Sequence, residues 1–350
     1  MTAVAITPSG PFSLAASVRF LEGFTPASYD DAADGVLRLA FPADDGDSTV
    51  AVAVRQEETA DGAAGRVRAE FTLYPGDADE PPADPVSAGS GPAKAVRAQL
   101  ARILSLDVDA SGFPELAAAD PVVAGLMADH PGLRPVCFNS PYEAAAWAII
   151  GHRIRMTQAA AVKARIAEQH GQRVQFAGRT LHAFPAPPTL RAITRVPGLT
   201  DVKVERLHAL AEAAAAGELD AARLRAMPAD EALAALRALP GIGPFSAELI
   251  LIRGAGHPDV FPRHERRLHA SIADAYDLGE TGADDVHRLA EIADHWKPYR
   301  SWIALLLRVR AEQKAQGFGN PVTWAPEVPA AAADRAAPGS ARRTPRGAAG

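Results

Sequence analysis

Leu239-Pro240-Gly241-Ile242-Gly243-Pro244-Phe245-Ser246-Ala247 is the stretch that decides how this chain folds. Residues 230–238 before it and 245–254 after it carry apolar side chains at helical spacing. Pro240 lacks an amide hydrogen and stops the first helix. Gly241 and Gly243 permit positive φ and close backbone approach, and Pro244 suits the start of a new helix. Leu239 and Ile242 are spaced to anchor the connection in both helices. The segment therefore predicts a helix–hairpin–helix unit; a plain tight turn between helices is the alternative. The first amides of the second helix lack intrahelical acceptors, and its dipole favours an anion there. A DNA phosphate suits such a site without any reading of base sequence.

Downstream and upstream of the hairpin the helical pattern continues. Residues 141–150, 157–170, 202–215, 266–276, 283–294 and 299–314 repeat apolar side chains every three to four positions. Short Gly- or Pro-containing links join most of them, which predicts an all-helical domain over 111–320. The first third reads differently. Residues 13–20, 35–41, 49–56 and 67–73 look like strands separated by turn-rich stretches, 77–92 is a Pro- and Gly-rich loop, and 93–104 is a helix. A mixed α/β domain with an antiparallel sheet over 1–110 follows, so the fold class is α+β. Residues 321–350 are rich in Ala, Pro and Arg and read as a flexible tail.

The net charge of −6 suits a nucleic-acid binder poorly until it is divided along the chain. Residues 1–130 carry −12, residues 131–320 carry +4 and residues 321–350 carry +2. The hairpin therefore lies in the mildly basic part, where the local field rather than the total steers a polyanion. One cysteine, Cys137, excludes an intramolecular disulfide framework and Cys-rich metal or cluster sites, and fits a reducing compartment. No basic-then-apolar leader is seen at the start, and apolar runs fall short of the ~20 residues that span a bilayer. The expectation is a cytoplasmic protein without membrane contact.

Three motifs in order give the chain a family likeness. Residues 239–268, the segment Ala148-Ile149-Ile150-Gly151-His152-Arg153-Ile154, and Trp296-Lys297-Pro298-Tyr299-Arg300-Ser301-Trp302 resemble DNA glycosylases of the helix-hairpin-helix superfamily, closest to DNA-3-methyladenine glycosylase II. The likeness covers about residues 10–320, the α/β first third included. It implies excision of alkylated purines from damaged double-stranded DNA by base flipping, in the manner of base-excision repair. It implies no required cofactor, though a monovalent cation at the hairpin carbonyls is compatible with it, and no metal. It also implies a monomer without an obligate protein partner, working at the nucleoid.

Carried over residue by residue, the resemblance assigns Gly241, Gly243 and Ser246 to the DNA backbone and Arg153 to the gap left by the flipped base. It assigns His152, Phe245, Leu249 and Arg308 to the base pocket. The family's catalytic aspartate falls at Glu265, 22 residues after Gly243. Glutamate keeps the charge but adds a methylene; the alternative is a carboxylate favouring a helix start. His152 replaces a glutamine, Arg153 an apolar or amide wedge, and Arg308 a stacking tryptophan. His152 is alternatively an interhelical histidine, and Phe245, Tyr299 and Trp302 are alternatively core. Residues 239–296 contain no lysine for a Schiff base, so a monofunctional enzyme is expected. The competing expectation is a damaged-DNA binder that has lost catalysis. A nuclease is disfavoured because no acidic metal cluster is visible in the sequence.

Overall fold

The computed structural model describes residues 1–24, 34–44, 46, 48–57, 65–76, 87, 89–279 and 281–316. The expected loop over 77–92 falls mostly outside these residues, and the tail over 321–350 falls wholly outside them.

Four strands, β1 (Thr2–Ile6), β2 (Leu37–Pro42), β3 (Ser48–Gln56) and β4 (Val67–Pro75), form an antiparallel sheet in the order β1-β4-β3-β2. The register pairs Thr2 with Phe71, Val52 with Phe71 on the next strand, and Leu39 with Val52. In β3 the alternation Val50, Val52, Val54 faces the main core, while Ala51 and Ala53 face a smaller one with Tyr74, Val174 and Phe176. Small residues on that second face admit a hairpin of β5 (Arg173–Phe176) and β6 (Arg179–His182). Its turn places Ala177 and Gly178 at φ +49° and +76°, the paired left-handed conformation of a two-residue hairpin. Tyr74 donates to Gln175 O at 2.8 Å across the contact. This hairpin was not expected within the helical part: two four-residue strands carry too short an alternation to stand out.

Two corrections concern the N-terminus. Residues 13–20, expected as a strand, belong to helix α1 (Leu14–Gly23), because Ser13 caps it by accepting the amide of Ala16. The first strand is instead β1, whose burial alternates residue by residue.

The remaining helices run as α2 (Gly91–Ile103), α3 (Phe113–Ala119), α4 (Pro121–Asp129), α5 (Pro141–Gly151), α6 (Met156–His170), α7 (Pro187–Ala192), α8 (Asp201–Ala215), α9 (Ala221–Ala226), α10 (Ala229–Arg237), α11 (Pro244–Leu249), α12 (Arg266–Ala275), α13 (Val286–Asp294) and α14 (Arg300–Gln316). A π-helical turn, Ile250–Gly254, extends α11. The central helix is α5, with Ser140 capping it and nearly all of Pro141–Gly151 buried. It packs on the π turn through Gly254, where a Cβ would lie 2.8 Å from Pro141 Cα and 3.0 Å from Ala144 Cβ. Buried Arg134 ties the two halves together. Its guanidinium donates to Pro11 O and Ser105 O at 2.8 and 2.9 Å and stacks over Trp302. One apolar cluster runs from Val4 to Val309.

Candidate functional site

The hairpin has the predicted shape. Leu239 and Ile242 are buried while Pro240, Gly241, Gly243 and Pro244 are exposed, so two apolar plugs hold an open turn. Ile242 N donates to Leu239 O at 3.1 Å, and Gly241 adopts φ +88°. Ala247 N donates to Gly243 O at 2.9 Å, the first amide of α11 with an acceptor in its own turn. The amides before it in α11 point at the open side, as helix geometry requires. A Cβ built on Gly243 meets nothing within 4 Å, so this side is free for a backbone ligand.

A second turn lies at the C-terminus of α5. His152 and Arg153 are exposed, and Arg153 holds φ +57°, a strained conformation for a non-glycine residue. Helix α8 links this turn to the hairpin. Lys203, itself buried, donates from Nζ to Ile150 O at 2.7 Å. One turn along the helix, Arg206 lies so close to Gly241 that a Cβ there would fall 2.6 Å from its Cδ. Burial first, then Arg153, Lys203 and Arg206, holds the His152 imidazole below its usual range. Burial and then Arg206 lower Lys203 in the same way. The neighbouring cations thus raise the cost of charge on His152 and Lys203, and an anion lowers it. Lys203 and Arg206 were missed in the sequence because charges on an amphipathic helix read as a solvated face. The signal was their three-residue spacing on one face.

Glu265 begins α12 but does not cap it. Only 2% of it is exposed. One oxygen lies 3.3 Å from Arg308 Nε on α14, and Arg308 also pairs with Glu312. The other oxygen, Oε2, is buried without a hydrogen-bond partner. Burial pushes the carboxyl up to about 7, with Arg308 opposing and Glu312 reinforcing the shift. The structure therefore brings together Glu265 and Arg308, two residues expected at the site, in a buried ion pair. Leu249 is buried as well, and Phe245 is half-buried.

No protein-family model matches the chain. Over 207 residues it is 28% identical to a DNA-3-methyladenine glycosylase of Bacillus subtilis, covering 58% of this chain and 67% of that protein. Over 187 residues it is 30% identical to DNA-3-methyladenine glycosylase 2 of Escherichia coli, covering 51% of this chain and 61% of that protein. The chain thus aligns with about two thirds of the length of these relatives or less. In three dimensions it resembles the 3-methyladenine DNA-glycosylase of Archaeoglobus fulgidus, with a TM-score of 0.69 at 22% identity over 89% of this chain and 99% of that one. The chain is thus similar in sequence to DNA-3-methyladenine glycosylases and shares their fold.

Within this scaffold, the Trp296–Trp302 stretch acts as a bracket for the loop that leads to Glu265. Arg300 clasps the Asp259 carboxylate, at 2.7 Å from Nε and 3.1 Å from Nη2. Ser301 Oγ accepts Val260 N at 2.9 Å and donates to Val260 O at 3.0 Å. Trp296, Tyr299 and Trp302 are all buried, so these aromatics are core. A cavity of about 460 Å³ opens between this loop and the hairpin, lined in part by Arg237, Pro244, Glu248, Arg263, His264 and Arg300. Another, of about 320 Å³, lies between α1, β2, α6 and β6 around the Glu143–Lys163 pair. None of His152, Phe245, Leu249, Glu265 or Arg308 lines either. Among the described residues no three His, Cys, Asp or Glu side chains converge as a metal site would, and no helix is long and apolar enough to cross a membrane.

Proposed function

We propose that this chain is a base-excision repair enzyme that flips alkylated purines out of duplex DNA and hydrolyses their N-glycosidic bonds. The observation that carries the reading is the single helix α8 joined to both exposed turns, through Lys203 at the Arg153 turn and Arg206 at the hairpin. This fixes a phosphate grip and a probe of the base stack in one rigid frame, as base flipping requires.

In this reading a DNA phosphate is held by the amides following Gly243 and by the Ser246 hydroxyl. Lys203 and Arg206 supply positive potential. Arg153, at the tip of its strained turn, stacks into the gap left by the extruded base. The base departs with the glycosidic electron pair, which leaves positive charge on the sugar. The Glu265 carboxylate, once parted from Arg308, stabilises that charge. Water then completes the substitution at C1′. With no lysine between residues 239 and 296, cleavage of the strand by a Schiff-base route is not expected. Such an enzyme needs no protein partner and acts wherever the chromosome lies.

The test is release of free base from methylated duplex DNA by the purified protein, with enzyme well below substrate. Wild type is expected to turn over, and Glu265→Gln to be slower by about 100-fold, the scale of losing one transition-state electrostatic contact. Salt-sensitive binding to damaged duplex with no release at any enzyme concentration overturns the excision reading in favour of a binder.

A further inference from the structure

We infer that the cavity of about 320 Å³ between the sheet and α6 is a second ligand site, one that takes a small uncharged heterocycle of the nucleobase class. It stands apart from the DNA-facing turns and does not depend on the excision reading.

The cavity opens where α1 and β2 meet α5, α6 and β6, the kind of seam in which small-molecule sites form. Its volume is at the small end for such sites, which start near roughly 300 Å³. Phe24, Phe138 and Phe184 supply aromatic surface, which suits a flat ring. The charged side chains on its wall cancel, Arg38 and Lys163 against Glu143 and Glu168. Lys163 Nζ lies 2.6 Å from Glu143 Oε1, with 13% and 6% of their side chains exposed. Arg38 is held in turn by Asp34, at 3.1 Å from Nη1. A charged occupant would have to break one of these pairs to be neutralised, whereas an uncharged one leaves both in place.

Two polar groups on the wall fix the edge of that occupant. His182 ends β6, and its Nδ1 is buried with no hydrogen-bond partner among the described residues. Asn139 donates its side-chain nitrogen to Glu143 Oε2 at 2.8 Å, which leaves its amide oxygen as an acceptor. An amide acceptor and an imidazole that can donate or accept match the edge of a nucleobase, where N–H groups and ring nitrogens alternate. An apolar occupant of the same volume would leave the His182 nitrogen unmet. The position also separates this site from DNA. Glu143 lies in the first turn of α5, and the Arg153 turn follows its last. The helix from Glu143 to Gly151 spans about 12 Å. A heterocycle held here therefore binds alongside DNA rather than in place of it.

Calorimetric titration of the full chain with adenine tests the site, with benzamidine and benzoate as a flat cation and a flat anion. Adenine is expected to bind, and both charged rings to bind roughly tenfold more weakly or worse. His182→Phe keeps a ring and removes the nitrogen, and should weaken adenine about tenfold, the scale of one lost hydrogen bond. Ala167→Leu, on the α6 wall, fills the space and should abolish binding. Unmodified duplex DNA should leave the adenine affinity unchanged, and both variants should bind duplex as wild type does, which also reports that they are folded. No binding of adenine by wild type, equal binding by a folded variant, or tighter binding of either charged ring overturns the site. So does competition between adenine and duplex, which would place the base on the DNA-facing side. The charge and competition measurements use wild type alone and stand even if a variant fails to fold. None of the readouts involves excision, so failure of the glycosylase reading leaves them unaffected.

Discussion

The two halves of the site are built on opposite principles. The proposed grip, made of the 239–243 hairpin and the His152–Arg153 turn joined by α8, presents exposed tips, gathers like charges and holds a strained residue at Arg153. The carboxylate centre, Glu265 with Arg308 and Glu312, is buried and internally neutralised. A surface that awaits a polyanion can stay charged because water screens it until the ligand arrives. A carboxylate in the core has no such shelter and must hold a counter-ion or a proton. In the function proposed above, the grip is preassembled, whereas a flipped nucleotide has to separate Glu265 from Arg308 before the carboxylate can meet a sugar.

Removing the counter-ion breaks this contrast most severely. Arg308→Ala leaves Glu265 in the core without its counter-ion, and loss of one partner of a buried ion pair costs about 3–5 kcal/mol. Urea unfolding near pH 8 is expected to show that loss. A change below 1 kcal/mol would mean the pair is hydrated in solution. The next effect concerns the proton on Glu265. Its folded-state value of about 7 lies above the ordinary 4.5, so the protonated form favours the folded state. Its contribution is fully present below pH 4.5 and is lost as the pH rises through 7, amounting to roughly 3 kcal/mol at 1.36 kcal/mol per unit. Glu265→Gln does not ionise, so its stability should gain on that of wild type by about this amount between pH 4.5 and 8. A constant gap across that range would show that the carboxyl is not desolvated.

How much of this was legible in the sequence depended on how local the cause was. Pro240, Gly241, Gly243 and Pro244 act within one turn, and the hairpin appeared where their chemistry required it. The long amphipathic helices were equally plain, since their period is repeated several times. The stretch around Ser13–Phe20 misled because its alternating apolar residues fit a strand, and a single Ser13 cap decides the matter for a helix. Strands β5 and β6 hide because four residues carry barely two periods and their hairpin is paid for by small side chains on a sheet 120 residues earlier in the chain. Glu265 and Arg308 were each singled out, yet nothing in their spacing revealed that they face one another. Glu143 and Lys163 were missed as a pair for the same reason. Only packing of α6 against α5 makes the contact.

The smallest predicted effect sharpens the comparison from the side of the grip. Lys203 holds Ile150 O, the carbonyl two residues before the exposed turn. Lys203→Met keeps the length and apolar stem of the side chain and removes both the hydrogen bond and the charge. A lost charged hydrogen bond costs about 1.5–3 kcal/mol in a well-buried place, but burial and Arg206 already penalise this ammonium, which offsets part of it. The net change in stability should stay near 1 kcal/mol. DNA binding reports the rest. If Lys203 also faces a phosphate, affinity falls and the slope of log K against log salt drops by about one. If it serves only to brace the Arg153 turn, the slope is unchanged and the loss appears as a slower flip, read with a fluorescent base analogue opposite the wedge. Either outcome leaves α8 as the bridge between the turns; a variant identical to wild type in affinity, slope and flipping rate removes it.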